Sequence, residues 1–280
     1  MAIKIAHECP LNIFYRVQDL TDYDYALVHL FEESEEYYNK FLMAKMAGRE
    51  IILDNSIFEL GEAFDAEKYA YWIEKLKPDW YIVPDSLENK NETISNYENW
   101  IKNYNDLPGK KIGVVQGKNY DEAVDCYKYF SVAPYCEKVA ISFDYSFYET
   151  FNHNLEFPTK YHAWCLGRQV FLDRLIRDDW INYKRPHHLL GCSLPQEFLY
   201  YKTNDKFRFI ESLDTSNPVV AGLKGIVYND TMGLDDKPSE KLYTMIESDV
   251  SKNTLSLIER NIDAFRRICN ELGSAFQSNG

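Results

Sequence analysis

Three aspartates that each close an apolar run, Asp54, Asp85 and Asp214, are the side chains of this sequence best suited to do chemistry, together with the carboxamide of Gln116. A single Asp after a strand is usually a helix cap. Three of them gathered in one partly desolvated cleft repel one another, which raises at least one pKa and divides the group into an acid and an ionised partner. Folding gains nothing from that repulsion, so the grouping points to catalysis by carboxylates. Gln116 adds a donor and an acceptor able to read the edge of a heterocycle, and Phe58 offers a ring on which a base stacks or which simply fills core.

Such convergence needs a scaffold that ends several strands at one face. Short β-branched or apolar runs alternate with stretches of helical period, the pattern of a parallel sheet built from βα units. The strands expected are Tyr25–Phe31, Glu50–Asp54, Trp80–Pro84, Lys111–Gln116, Lys138–Phe143, His187–Cys192, Phe209–Leu213 and Lys224–Tyr228. Between them lie helices such as Asp65–Leu76, with Asp65 as its cap, Tyr120–Tyr129 and Val170–Trp180, and one or two closing helices fall within Ser239 to Leu272. Eight strand–helix pairs without a dividing linker predict an α/β fold, a (β/α)8 TIM barrel forming one domain over residues 1–280. In that fold active sites sit where strands end and their following loops begin. The polar residues after the expected strands, Asp54-Asn55-Ser56, Asp85, Gln116, Ser142, Asp144 and Asp214-Thr215-Ser216, would then share one mouth.

Composition narrows the partners. The 280 residues are 45% hydrophobic and 27% charged with 12 Gly and 10 Pro, which excludes collagen-like and mainly disordered chains. Lys plus Arg is 31 and Asp plus Glu is 44, a net charge of 31 − 44 = −13, the wrong sign for a surface that holds nucleic acid mainly by neutralising phosphates. Any nucleic-acid contact is therefore expected as a local basic strip around the barrel mouth. The stretch from Met1 to Phe14 is interrupted by His7, Glu8 and Pro10 and does not read as a signal peptide, and no apolar run reaches about 18 residues, so a cytoplasmic protein without a membrane partner is expected. The six cysteines are scattered without a CxxC pair, which argues for reduced core thiols, with neither a zinc site nor any other cofactor.

Two further stretches carry alternatives. The segment Tyr145 to Tyr161, followed by His162, Trp164 and Arg168, is long enough to cover a flipped nucleotide, or its aromatics pack the barrel rim. Arg168, Arg174, Arg177, Lys184, Arg185, His187 and His188 form the most basic stretch and either face phosphates or, diluted by Asp173, Asp178 and Asp179, form a solvated face. Of the two histidines at least one should point into the barrel beside Leu189.

Four segments, Ile52-Leu53-Asp54-Asn55-Ser56-Ile57-Phe58-Glu59, Gly113-Val114-Val115-Gln116-Gly117, Lys184-Arg185-Pro186-His187-His188-Leu189-Leu190-Gly191 and Ile210-Glu211-Ser212-Leu213-Asp214-Thr215-Ser216-Asn217-Pro218, resemble in order and approximate spacing four motifs of the tRNA-guanine transglycosylases. These enzymes, with the related transglycosylases that insert 7-deazaguanines into DNA, are (β/α)8 barrels that exchange a base on its sugar. The resemblance implies Asp214 as the nucleophile that holds the sugar as an ester and Asp54 as the carboxylate that handles the proton on the base. It implies Asp85 and Gln116 at the base edge, Phe58 stacked on the base and Leu190-Gly191 in the pocket wall, with Asn55, Ser142 and Phe143 completing the pocket. Three features depart from the family. Its zinc motif after the nucleophile is missing, leaving only Cys269 there; the fifth strand, where the family has a Gly-Gly pair, reads Ala140-Ile141-Ser142-Phe143-Asp144; and Asn55-Ser56 stands where Ser-Gly is usual. The missing zinc platform favours DNA over tRNA as partner, with the base flipped out of its stack, and the altered pocket inclines towards excision of a modified base, in a phage DNA-modification or defence setting. The alternatives are a tRNA base-exchange enzyme, an N-glycosidase of free nucleosides or nucleotides, and a non-catalytic barrel that binds a modified nucleotide.

Overall fold

Eight short strands pair in parallel to make the centre of the molecule: β1 Lys4–Ala6, β2 Asp24–Leu27, β3 Ile51–Asp54, β4 Trp80–Ile82, β5 Lys110–Val114, β6 Cys136–Ser142, β7 His187–Leu190 and β8 Ile210–Asp214. Their spatial order is β1-β8-β7-β6-β5-β4-β3-β2. Between the two ends, Asp22 N donates to Ile5 O at 2.9 Å and Ile5 N donates to Asp22 Oδ2 at 2.8 Å, so β1 is bridged to the chain just ahead of β2 and the sheet closes on itself. The architecture is a (β/α)8 barrel, as the alternating pattern leads one to expect. The computed structural model describes residues 2–150, 155–229, 232–238 and 240–270.

Helices wrap the strands: α1 Phe14–Gln18, α2 Val28–Glu33, α3 Glu35–Met46, α4 Ile57–Leu60, α5 Ala66–Leu76, α6 Lys90–Tyr104, α7 Tyr120–Val132, α8 Lys160–Arg177, α9 Glu197–Lys202, α10 Asn217–Leu223 and α11 Lys252–Asn270. In α5 the Asp65 side chain accepts from Lys68 N at 2.9 Å, and Tyr69, Trp72, Ile73 and Leu76 are buried on one face against the barrel. The closing segment is a 3-10 turn at Leu242–Met245 followed by α11, which buries Ile258, Ile262, Phe265 and Ile268. Its expected limits, Ser239 and Leu272, lie outside the described residues. All six cysteines are free and buried. Among the described residues no helix is long and apolar enough to cross a membrane.

The strand assignment needs three corrections. Of Tyr25–Phe31 only Tyr25–Leu27 lies in a strand, β2, and Val28–Phe31 opens α2. Lys4–Ala6, too short to show alternation, is a strand; it supplies β1, so every later strand stands one place further along than expected. Lys224–Tyr228 is not a strand: Tyr228 N donates to Asn261 Oδ1 at 3.0 Å and Asn261 Nδ2 donates to Ile226 O at 2.9 Å, so a side chain of α11 takes the place of a neighbouring strand. The number eight survives because one omission offsets one excess.

The basic stretch is also placed differently from a phosphate strip at the mouth. Arg174 and Arg177 close α8 and Lys184 and Arg185 precede β7, so they lie at the end of the barrel opposite the strand C-termini. Arg168 is wholly buried, and Arg185 donates to the carbonyls of Phe130 and Ala133. In the segment after β6, Tyr145, Phe147 and Tyr148 are buried against the rim, so its first half packs the barrel; residues 151–154 lie outside the described residues.

Candidate active site

Because side chains alternate along a strand, residues two apart share the inner face. Asp54 on β3, Ser142 on β6, Leu190 on β7 and Asp214 on β8 are last in their strands and open on one cavity of about 430 Å³ at the strand C-termini. Asn55, Phe58, Asp85, Gln116, Phe143 and Gly191 line the same cavity, so all ten residues singled out in the sequence meet there.

Asp214 is held from below and from the side. Its Oδ1 lies 2.9 Å from His188 Nε2 and accepts from Gly191 N at 3.2 Å, while its Oδ2 has no protein partner among the described residues. His188, fully buried, has Nδ1 2.9 Å from Ser212 Oγ, and Ser212 Oγ accepts from the buried Lys138 Nζ at 3.4 Å. Burial lowers the His188 pKa, partly offset by the Asp214 contact, so the ring is neutral at pH 7 and carries one N–H. That hydrogen sits on Nε2, because the carboxylate can only accept, and Nδ1 accepts from the Ser212 hydroxyl. Of the two histidines, His188 is thus the inward one; His187 pairs with Tyr127 OH at 2.9 Å under α7.

Asp54 has a different setting. Tyr25 OH donates to its Oδ2 and Ser56 N to its Oδ1, yet burial, followed by the neighbouring Glu59, pushes its pKa well above the ordinary carboxylate value. The Tyr25 ring stacks on His188 with centroids 5.9 Å apart and planes 15° apart. One ring of this stack bonds Asp54 and the other Asp214, so the two carboxylates open on one cavity in unlike environments.

On the opposite wall Asp85 accepts from Asn55 Nδ2 through Oδ1 and from Gln116 Nε2 through Oδ2, both at 2.7 Å. Gln116 Oε1 accepts from Glu88 N at 2.9 Å. Burial raises the Asp85 pKa against these two donors. Phe58, 39% exposed, is a rim residue and not core filler; its centroid is 6.0 Å from that of Phe143, which meets Trp164 edge-on at 5.8 Å. Gly191 has φ +64°, and a Cβ there would stand 2.4 Å from the Phe143 ring, so only glycine lets that ring reach the wall.

Several lining residues escaped the sequence reading. Glu8 follows β1 and was hidden with it; burial, then Glu59, Asp214 and Asp54, pushes its pKa well up. Burial raises Glu59 to about 7, and it also raises Asp144, already expected at the mouth, which accepts from Ser142 Oγ at 2.5 Å. Tyr25 lies inside a strand and carried no signal of its own, and Lys237, Lys241 and Tyr243 come from the chain between α10 and α11.

No known protein-family model and no curated protein matches the chain. A carboxylate with one free oxygen, in the same cavity as a carboxyl group whose proton affinity is raised, can attack a carbon bearing a leaving group while the second group protonates it as it departs. The aromatic wall and the Asp85–Asn55–Gln116 array offer such a leaving group a flat face and a hydrogen-bonding edge. Among the described residues no group of three or more His, Cys, Asp or Glu is placed to hold a metal ion.

Proposed function

We propose that this protein breaks the N-glycosidic bond of a nucleobase, most simply of a modified base in DNA, as a glycosylase or transglycosylase. The observation that carries the reading is the pairing of Asp214 and Asp54 in one cavity with opposite treatment, the first with a free oxygen and two N–H donors, the second pushed towards its protonated form. In this account Asp214 Oδ2 attacks the anomeric carbon, the C–N bond breaks with its electron pair going to the base, and Asp54 gives that base a proton. The sugar is then an ester of Asp214. Water resolves it to an abasic sugar, or an incoming base displaces the carboxylate, with Asp54 taking the proton back, as in retaining glycosidases.

The resemblance to the transglycosylases supports the same roles. Ser56 holds φ +62°, a left-handed conformation that glycine adopts without strain, at the place where that family carries glycine. The cavity volume suits one nucleotide-sized ligand. Phe58 and Phe143 supply stacking faces, and Asp85 with Asn55 and Gln116 supplies a polar edge for a base.

Base release tests this reading. The purified protein is incubated with unmodified and base-modified DNA, with tRNA, with nucleotides and with nucleosides, and free base is detected by mass spectrometry. Release that is lost in Asp214→Asn is expected, and the substrate that yields it decides between DNA, tRNA and monomer. Failure to release base from every substrate would leave the barrel a binding protein and sink the proposal.

A further inference from the structure

Three lysines stand around the mouth of the cavity, and none of them is in an ion pair among the described residues. Lys160 is the first residue of α8, with Nζ 4.8 Å from the Trp164 ring centroid. Lys237 and Lys241 come from the chain that crosses the mouth between α10 and α11; their Nζ atoms lie 3.9 Å from the Phe143 centroid and 4.6 Å from that of Phe58. This is unexpected beside Glu8, Asp54, Glu59, Asp144 and Asp214, because lysines that only balanced those carboxylates would lie within ion-pairing reach of them. Instead each ammonium rests over a ring at the rim. Lys241 gives one hydrogen to Phe58 O at 3.0 Å, and the remaining N–H groups are available to a ligand.

The start of α8 adds to the positive rim. Lys160, Tyr161 and Trp164 of its first turns line the cavity, so the positive end of this 18-residue helix lies at the same opening, and Thr159, its N-cap, makes no side-chain cap bond, its Oγ1 being 3.0 Å from His162 Nδ1.

We propose that Lys160, Lys237 and Lys241 form a phosphate-binding rim, so that the substrate enters as a phosphorylated unit, a nucleotide or a strand with its backbone phosphates beside the base. The inference rests on reading the cavity as a nucleobase site. It gives a chain of net charge −13 the local strip that contact with nucleic acid requires, on the same face as Asp214 and opposite the Arg174–Arg185 stretch. A free phosphate ester and a phosphodiester offer the rim the same oxygens, and Phe58 and Trp164 lie beside them to stack on a base. Lys237 is the innermost of the three; burial lowers it to about 8, which leaves it mostly charged at pH 7.

The test is binding by fluorescence anisotropy to a labelled mixed-sequence single-stranded DNA, the same strand as RNA, and, by competition, nucleoside 5′-monophosphates and nucleosides. Lys160→Gln/Lys237→Gln/Lys241→Gln should weaken strand or monophosphate binding at least about tenfold at about 50 mM salt, and reduce the slope of log K against log salt for a strand by about 2, since each single-strand phosphate contact contributes about 0.7. Lys184→Gln, at the other end of the barrel, should change neither. Lys160→Gln/Lys241→Gln, which alters only exposed side chains, should still reduce the slope by about 1.4 if the triple variant does not fold. Binding to monophosphates but not strands names a free nucleotide as the source. Unchanged affinity and slope in the variants, or wild-type protein that prefers nucleosides or binds none of the probes, would overturn the rim. Base release with an unchanged slope defeats the rim alone, whereas lysine-dependent binding without base release defeats only the glycosidic reading.

Discussion

His188 Nε2 stands 2.9 Å from Asp214 Oδ1 at the end of a buried series in which Lys138 donates to Ser212, Ser212 to the His188 ring and the ring to the carboxylate. The residues come from β6, β8 and β7, so three strands fix the orientation of one carboxylate. Its other oxygen is thereby left for the cavity.

Replacing His188 by Phe keeps a ring under Tyr25 and removes the donor to Asp214. A hydrogen bond to a charged group contributes about 1.5–3 kcal/mol, so base release should slow by roughly 10- to 150-fold while the circular dichroism spectrum is retained. Ser212→Ala, which frees the tautomer without removing the ring, should give a smaller loss. A His188→Phe enzyme with wild-type turnover would show that this contact does no positioning.

In the proposed reaction the Asp54 carboxyl, pushed up by burial and then by Glu59, has to carry a proton when the base leaves. The rate should therefore fall as pH rises through its raised pKa. Asp54→Asn should lower the plateau by about 10²- to 10⁴-fold and remove that alkaline limb, as loss of a general acid does. The kcat/KM profile of the two proteins checks both.

Glu59 gives stability a pH dependence of definite sign. Its folded-state value of about 7 lies above the ordinary 4.5, so between those pH values the folded chain holds a proton that the unfolded chain has released, and stability falls as pH rises across the window. Glu59→Gln should melt with the wild type near pH 4 and a few °C above it at pH 8. Equal melting points at both pH values would contradict the raised carboxyl.

Arg168 and Glu197 form a fully buried ion pair, with Nε–Oε1 at 2.6 Å and Nη2–Oε2 at 2.9 Å, and the same guanidinium donates to the carbonyls of Leu190 and Gly191 at 3.1 Å. The pair thus steadies the end of β7, whose Gly191 N–H donates to Asp214. Glu197→Ala leaves an unpaired buried charge, at a cost of about 3–5 kcal/mol, or a melting point lower by about 6–20 °C in thermal denaturation.

The barrel was legible because Ile51–Asp54, Cys136–Ser142 and Ile210–Asp214 are short strand runs that end in a polar residue, and that pattern carries both the strand and its mouth. Lys4–Ala6 carried neither, and Glu8 was lost with it. Lys224–Tyr228 is apolar enough for a strand, but its backbone partner is the side chain of Asn261, some 35 positions away from Ile226, which no local pattern reveals. The basic stretch stayed open between its two readings for a similar reason: charge density along the chain does not say which end of a barrel it occupies. Conversely the rim lysines, Lys160 and the pair Lys237 and Lys241, are far apart in sequence and meet only through the fold.

The most direct measurement is to map the covalent intermediate. Wild-type protein is mixed with the substrate that releases base, quenched in acid, digested with nuclease and protease, and read by mass spectrometry. The account expects the peptide containing Asp214 to carry the mass of the debased sugar unit, together with free base, and expects Asp214→Asn to yield neither. An adduct on another residue, or base release by Asp214→Asn at the wild-type rate, would contradict it.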